Sequence, residues 1–140
     1  MWNTDQIAYL AGIIDGEGTF YIGKHAIQER GFNARVLVVN TNEKLMNWLH
    51  CTFGGLLYSR KSKKNPHWKL KYEWILNKSD ILSFCKLLLP YLICKKEQAE
   101  LMIEFRETYN IKTTRDVPKD ILEVRFKCYN HMKSLNQRSK

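Results

Sequence analysis

Residues 10–18 read LAGIIDGEG and run straight into Thr19-Phe20. Ile7, Leu10, Ala11 and Ile14 recur at helical spacing, which predicts a helix over 5–15 with Thr4-Asp5 as its cap. Within it, Gly12 and Gly16 lie four residues apart and clear one stripe of side chains, so a second helix can approach closely. Glu17 follows, held between Gly16 and Gly18, which end the helix. Two readings fit this spacing alone. In the first, a glycine cap is followed by a surface glutamate entering a strand. In the second, two such helices pair, two Glu17 carboxylates meet at the same end, and a divalent cation neutralises them. Oxygen ligands of this kind suit Mg²⁺, and a metal beside a cationic groove suits phosphodiester hydrolysis.

Outward from that stretch, Thr19–Ile27 is aromatic and β-branched and reads as a strand, Gly31-Phe32-Asn33 as a loop, and Arg35–Val39 as a second strand. Thr41 or Asn42 caps a helix running to about Thr52, with Leu45, Leu49 and Phe53 on one face, and Gly54-Gly55 ends it. Leu56–Ser62 and Trp68–Leu76 read as strands around the basic turn SKKNPH. Ser79-Asp80 caps a helix broken at Pro90, Cys94–Thr108 forms another, and Asp116 caps a last one entered at Pro118. Hairpins alternating with helices make the fold class α+β. In the strand ending at Leu76, Leu70, Tyr72 and Trp74 alternate with Lys69, Lys71 and Glu73, so one face packs on helices and the other is wet and cationic. An antiparallel sheet with such a face can lie along a DNA groove.

The 140 residues suit one domain, 1–140, and 44% hydrophobic residues with 6 Phe, 4 Trp and 7 Tyr suffice for a core. Against 14 acids stand 23 Lys and Arg, a formal net charge of +9. Residues 1–18 hold three acids and no base, whereas 19–76 hold ten bases and three acids. That surplus attracts polyanions, nucleic acid first and an anionic membrane surface second. No apolar run approaches the roughly 20 residues needed to span a bilayer, and MWNTDQ does not read as a signal peptide. No membrane partner is expected, and no strongly amphipathic helix supports surface binding. Cys51, Cys85, Cys94 and Cys128 are widely spaced, with no C-x-x-C pair, and read as reduced thiols rather than a metal site.

LAGIIDGEG resembles the signature motif of the LAGLIDADG homing endonucleases, matching at Leu10, Ala11, Gly12, Ile14, Asp15 and Gly18, with Glu17 at the acidic position. Asn40-Thr41, Phe53-Gly54-Gly55, and Leu89-Pro90-Tyr91-Leu92 followed by Lys95–Ala99 resemble later landmarks in the same order, so the resemblance spans roughly residues 6–108. It implies an αββαββα core whose four-stranded antiparallel sheet forms a saddle over DNA, with helices added after it. With one motif and no internal repeat, it implies a homodimer, each chain reading half of a long, near-palindromic site. The implied activity is metal-dependent, site-specific cleavage of double-stranded DNA with Mg²⁺, inside the cell where the DNA is: an organelle, a bacterium or a phage-infected cytoplasm. The alternative is an RNA maturase or nucleic-acid binder without cleavage, and intron RNA is then a further candidate partner.

By the same resemblance, Glu17 is the metal-binding acid and the Gly16 carbonyl a second ligand. Lys95 is the cation near the scissile phosphate, with Lys96 the neighbour to test. Thr41 stands where a water-orienting polar residue is found, and Asp15 is a structural residue of the helix end. Gly12, Ile13 and Gly16 form the dimer interface. For DNA reading, strand parity favours Tyr21, His25, Ser59, Lys61, Lys69, Lys71 and Glu73, while Arg35 and Asn40 are the polar candidates of the second strand. Lys63, Lys64, Asn65 and His67 sit in the hairpin tip and are expected on phosphates, giving salt dependence while base contacts give sequence.

Overall fold

The computed structural model describes residues 2–24, 31–65, 67–77, 80–109 and 117–138. Helix α1 spans Thr4–Glu17 and is capped by Asn3, not by Thr4-Asp5. The Asn3 side chain accepts from the Gln6 amide while Gln6 accepts from the Asn3 amide, a reciprocal box that satisfies two otherwise orphan donors. The chain then runs through β1 (Gly18–Lys24), β2 (Phe32–Asn40), α2 (Glu43–Phe53), β3 (Leu56–Arg60), β4 (Lys71–Asn77), α3 (Asp80–Leu88), a 3-10 turn (Leu89–Tyr91), α4 (Lys96–Glu107) and α5 (Lys119–Arg138). This is the expected α+β order of αββαββα followed by further helices.

The four strands form one antiparallel sheet in the order β1-β2-β4-β3. Phe20, Ile22, Val36, Val38, Trp74 and Leu76 point from it into the core, where they meet Leu10, Ile14, Met46, Leu49, Phe84 and Met102 from the helices. The other face carries Tyr21, Arg35, Leu37, Val39, Lys71, Glu73 and, on β3, Tyr58 and Arg60, as the strand registers require. Helices cover the first face and leave the second open.

The Gly54-Gly55 turn sets the β3 edge. Both glycines adopt positive φ, at 77° and 81°. A Cβ on Gly55 would stand 2.7 Å from the Ile75 carbonyl oxygen, so only glycine fits against β4. The Gly54 carbonyl accepts from the Trp74 indole at 2.7 Å and so satisfies the buried ring's donor.

Several boundaries differ from the sequence reading; among them, strand β2 starts at Phe32, so Phe32 and Asn33, expected in a loop, pair with Lys24 and Gly23. Helix α1 continues through Gly16 to Glu17, because the Gly18 amide still bonds to Ile14 and neighbouring groups hold the helix end. Helix α4 starts at Lys96 rather than Cys94, because the Asp15 carboxylate takes the amides of residues 93–95. Strand β4 starts at Lys71, so Lys69 precedes the sheet. The expected caps Ser79 and Asp116 lie outside the described residues.

Candidate nucleic-acid interface and acidic centre

The acidic centre is built at the C-terminal end of α1. Asp15 and Glu17 leave this helix in different directions and do different things. Asp15 turns toward the segment after the 3-10 turn, where its carboxylate accepts from the amides of Ile93 (2.8 Å), Cys94 (3.1 Å) and Lys95 (3.0 Å). It thereby satisfies donors just before α4 and ties that segment to α1. Glu17, the last residue of α1, is exposed and accepts a hydrogen bond from the Asn40 side-chain amide. Asn40 is itself oriented, because its carbonyl oxygen accepts from the Asn42 amide at 2.7 Å.

Lys95 comes from far along the chain to the same helix end. Its ammonium donates to the Ile14 carbonyl at 3.0 Å and to the Gly18 carbonyl. A cation there also complements the negative end of the helix. Burial pushes its pKa below the ordinary lysine value, and the Asp15 carboxylate partly offsets this. An ammonium has three donors, so two carbonyls leave one N–H for another acceptor. Lys96 is exposed in the first turn of α4.

Thr41 is exposed in the bend after Asn40, close in sequence to the Glu17 partner. Gly12 and Gly16 are exposed, and a Cβ on either would meet nothing within 4 Å. With Ala8, Tyr9, the half-buried Ile13, Glu17, Asn40 and Leu45 they line a groove of about 490 Å³. Thus α1 keeps one smooth face uncovered, with Glu17 at its end. Among the described residues no group of three or more His, Cys, Asp or Glu side chains could hold a metal within one chain.

On the open sheet face the structure brings together Tyr21, Lys71 and Glu73, as expected from parity, and Arg35, one of the two polar candidates of the second strand. Two other expected members are corrected. Ser59 pairs with Tyr72, and Asn40 also pairs with Tyr72, so both have the register of the core-facing residues. The reason for Ser59 is that Leu57, opposite Trp74, packs against the core, which turns Tyr58 and Arg60 to the open face. Lys61, Lys63, Lys64 and Lys69 lie in the exposed connection between β3 and β4, beside the sheet rather than on it. Asn65 and His67 lie there too, the Asn65 side chain accepting from the His67 amide at 3.0 Å. His25 lies outside the described residues.

Sequence reasoning missed Tyr58, Arg60 and Asn33 on the open face. Arg60 pairs with Glu73 at 3.5 Å across the β3–β4 ladder, and Asn33 shares the parity of Arg35. The Asn33 position was findable from the i, i+2 rule had the second strand been started three residues earlier.

No family model matches the chain, and no curated protein matches it as a relative. Solved structures do. The homing endonuclease I-CvuI, bound to a DNA target in the presence of Mg, superposes with a TM-score of 0.73 at 17% identity, over 93% of this chain and 81% of that one. The archaeal intron-encoded homing endonuclease I-Vdi141I, complexed with DNA, gives 0.74 at 14% identity, over 94% and 84%. The LAGLIDADG homing endonuclease I-GzeII, in complex with its DNA target, gives 0.56 at 15% identity, over 89% of this chain and 44% of that longer one. With LAGIIDGEG forming the C-terminal half of α1 and the first residue of β1, the chain carries this motif on the LAGLIDADG homing endonuclease fold.

Proposed function

We propose that this chain is a site-specific DNA endonuclease that cuts both strands of a long, near-palindromic target as a homodimer, with Mg²⁺. The observation that carries the reading is the α1 end. An exposed carboxylate, oriented by Asn40, ends a helix face smoothed by Gly12 and Gly16, and the Lys95 ammonium is packed against the same end.

A second copy laid against Gly12, Ile13 and Gly16 would bring two Glu17 carboxylates together. The Glu17 carboxylate and the Gly16 carbonyl, in the last turn where helical partners run out, are hard oxygen donors and fit Mg²⁺. One chain supplies too few of them for a complete site. The shortfall fits a metal shared with a second copy, water and DNA phosphate. Bound there, Mg²⁺ would neutralise charge at the phosphodiester and lower the pKa of water. The protein's own groups do the rest. Asn40 fixes the Glu17 carboxylate. The remaining N–H of Lys95 steadies charge developing on the phosphate. The Thr41 hydroxyl holds a water, and the open sheet face with its lysine-rich flank lies along the DNA.

The test uses duplexes covering the DNA that flanks the reading frame and purified wild-type and Glu17→Gln protein. Wild type is expected to cut both strands at one site with Mg²⁺, and Glu17→Gln to bind that site without cutting. Full cleavage by Glu17→Gln would overturn the metal role. Binding of the gene's own intron RNA with no cleavage of any flanking duplex would replace the nuclease by an RNA maturase.

A further inference from the structure

Tyr21 and Arg35 face each other across the β1–β2 ladder on the open side of the sheet. The Arg35 guanidinium lies over the Tyr21 ring, 4.6 Å from its centroid. The ring in turn lies along its own strand over Gly23. A Cβ on Gly23 would stand 2.7 Å from the Tyr21 Cε1 and 2.8 Å from its hydroxyl. Gly23 therefore makes room for the flattened tyrosine, and the tyrosine carries the arginine. The Arg35 Nε is buried and has no hydrogen-bond partner among the described residues.

A buried, unpaired guanidinium N–H is costly unless something supplies an acceptor. Among the described residues no carboxylate does so. Arg35 sits in a strand in the middle of the sheet rather than in the lysine-rich β3–β4 connection, where phosphate contacts are expected. A stacked guanidinium is a flat, rigid fork of donors, the shape that matches the O6 and N7 acceptors of guanine in the major groove.

We propose that Arg35 reads a guanine at one position of each half-site, and that Tyr21 and Gly23 are positioning residues that hold its guanidinium in the reading plane. The inference rests on the DNA-binding reading above and adds which base is read and by which group. Tyr21, expected from parity to touch DNA itself, then acts through Arg35.

The experiment is selection of bound duplexes from a randomised pool by wild type, Arg35→Lys, Tyr21→Phe, Tyr21→Leu and Gly23→Ala, followed by sequencing. Wild type is expected to select G at one symmetric pair of positions. Arg35→Lys loses about 5-fold or more of the discrimination there, because its flexible ammonium lacks the planar fork that the tyrosine ring holds in place, and keeps the other preferences. Tyr21→Phe keeps the ring and retains the guanine preference, Tyr21→Leu loses it at that same position only, and Gly23→Ala, whose Cβ would also stand 2.7 Å from the Asn33 Oδ1, loses it there together with any preference set by Asn33. Unchanged preferences in Arg35→Lys overturn the proposal while leaving the DNA-binding reading intact. So does weakening that is uniform across all sequences, which would make Arg35 a phosphate contact. Failure of wild type to select any sequence overturns both.

Discussion

Replacing Asp15 tests whether its carboxylate is structural scaffolding beside a separate acidic centre. In the native chain it accepts three backbone N–H groups, those of Ile93, Cys94 and Lys95, at 2.8–3.1 Å. Bonds to a charged acceptor contribute about 1.5–3 kcal/mol each when buried. Ile93 and Cys94 are exposed, so water replaces much of what they lose, whereas Lys95 is half-buried. Side-chain caps of helix ends contribute about 0.5–2 kcal/mol. Asp15→Ala should therefore destabilise the fold by about 2–3 kcal/mol, a fall of roughly 10 °C in Tm for a domain of this size. Asp15→Asn should lose about half as much, because its carbonyl oxygen still accepts while its NH₂ turns a donor toward a donor. Urea denaturation followed by far-ultraviolet circular dichroism measures both, with Glu17→Gln as the contrast. Glu17 is exposed and, among the described residues, bonded to the neutral Asn40 amide alone, so its substitution should change stability by less than about 0.5 kcal/mol. The reasoning is refuted if Asp15→Ala is as stable as wild type, or if Glu17→Gln is the more destabilised of the two.

Lys95→Met should lower cleavage about 100-fold, as loss of a transition-state donor does, with a change in stability of no more than about 1 kcal/mol. The two lost carbonyl bonds are offset by relief of the burial that already depresses this ammonium's pKa; unchanged cleavage would remove Lys95 from the chemistry. Gly55→Ala should cost about 2–3 kcal/mol in denaturant titration, because φ is 81° and the new Cβ would meet the Ile75 carbonyl oxygen at 2.7 Å. Burial raises the Cys85 thiol from 9.0 to about 12 and Cys128 from 9.0 to about 11. The folded state thus favours the neutral thiols, so their contribution is complete below pH 9 and is lost as pH rises from there through 11 and 12. Stability should fall across that window, and iodoacetamide should label the exposed Cys51 and Cys94 in the native protein while sparing Cys85 and Cys128.

What was legible in the sequence follows from which interactions are local. The periodicity of Ile7, Leu10, Ala11 and Ile14, the Gly54-Gly55 stop and the alternation around Trp74 are properties of one element each, and they yield the element order correctly. Glu17 was legible as an acid at a helix end, and Lys95 as a cation after the Leu89–Leu92 turn. The Lys95 ammonium reaches the Gly18 carbonyl, next in sequence to Glu17, across 77 residues, and only the motif resemblance pointed to it. The errors lie where a decision depends on a partner strand. The β3 face turns on whether Leu57 or Tyr58 is buried, and the short sequence LLYSR supports either. Leu57 is chosen by the bulk of Trp74 across the ladder, and that choice carries Ser59 off the open face and Arg60 onto it. Asn40 was misplaced for a related reason. As a polar residue ending an apolar strand it looks like a reader of bases, but at the last rung of β2 it reaches Glu17 instead. That contact links the two halves of the proposal. The strand that ends in Asn40 also carries Arg35 in its middle, so β2 orients the Glu17 carboxylate at one end and presents a base-reading group five residues away. A shift of β2 register would therefore disturb recognition and cleavage together, whereas substitution at Arg35 alone should change the sequence bound and leave the acidic centre as it is.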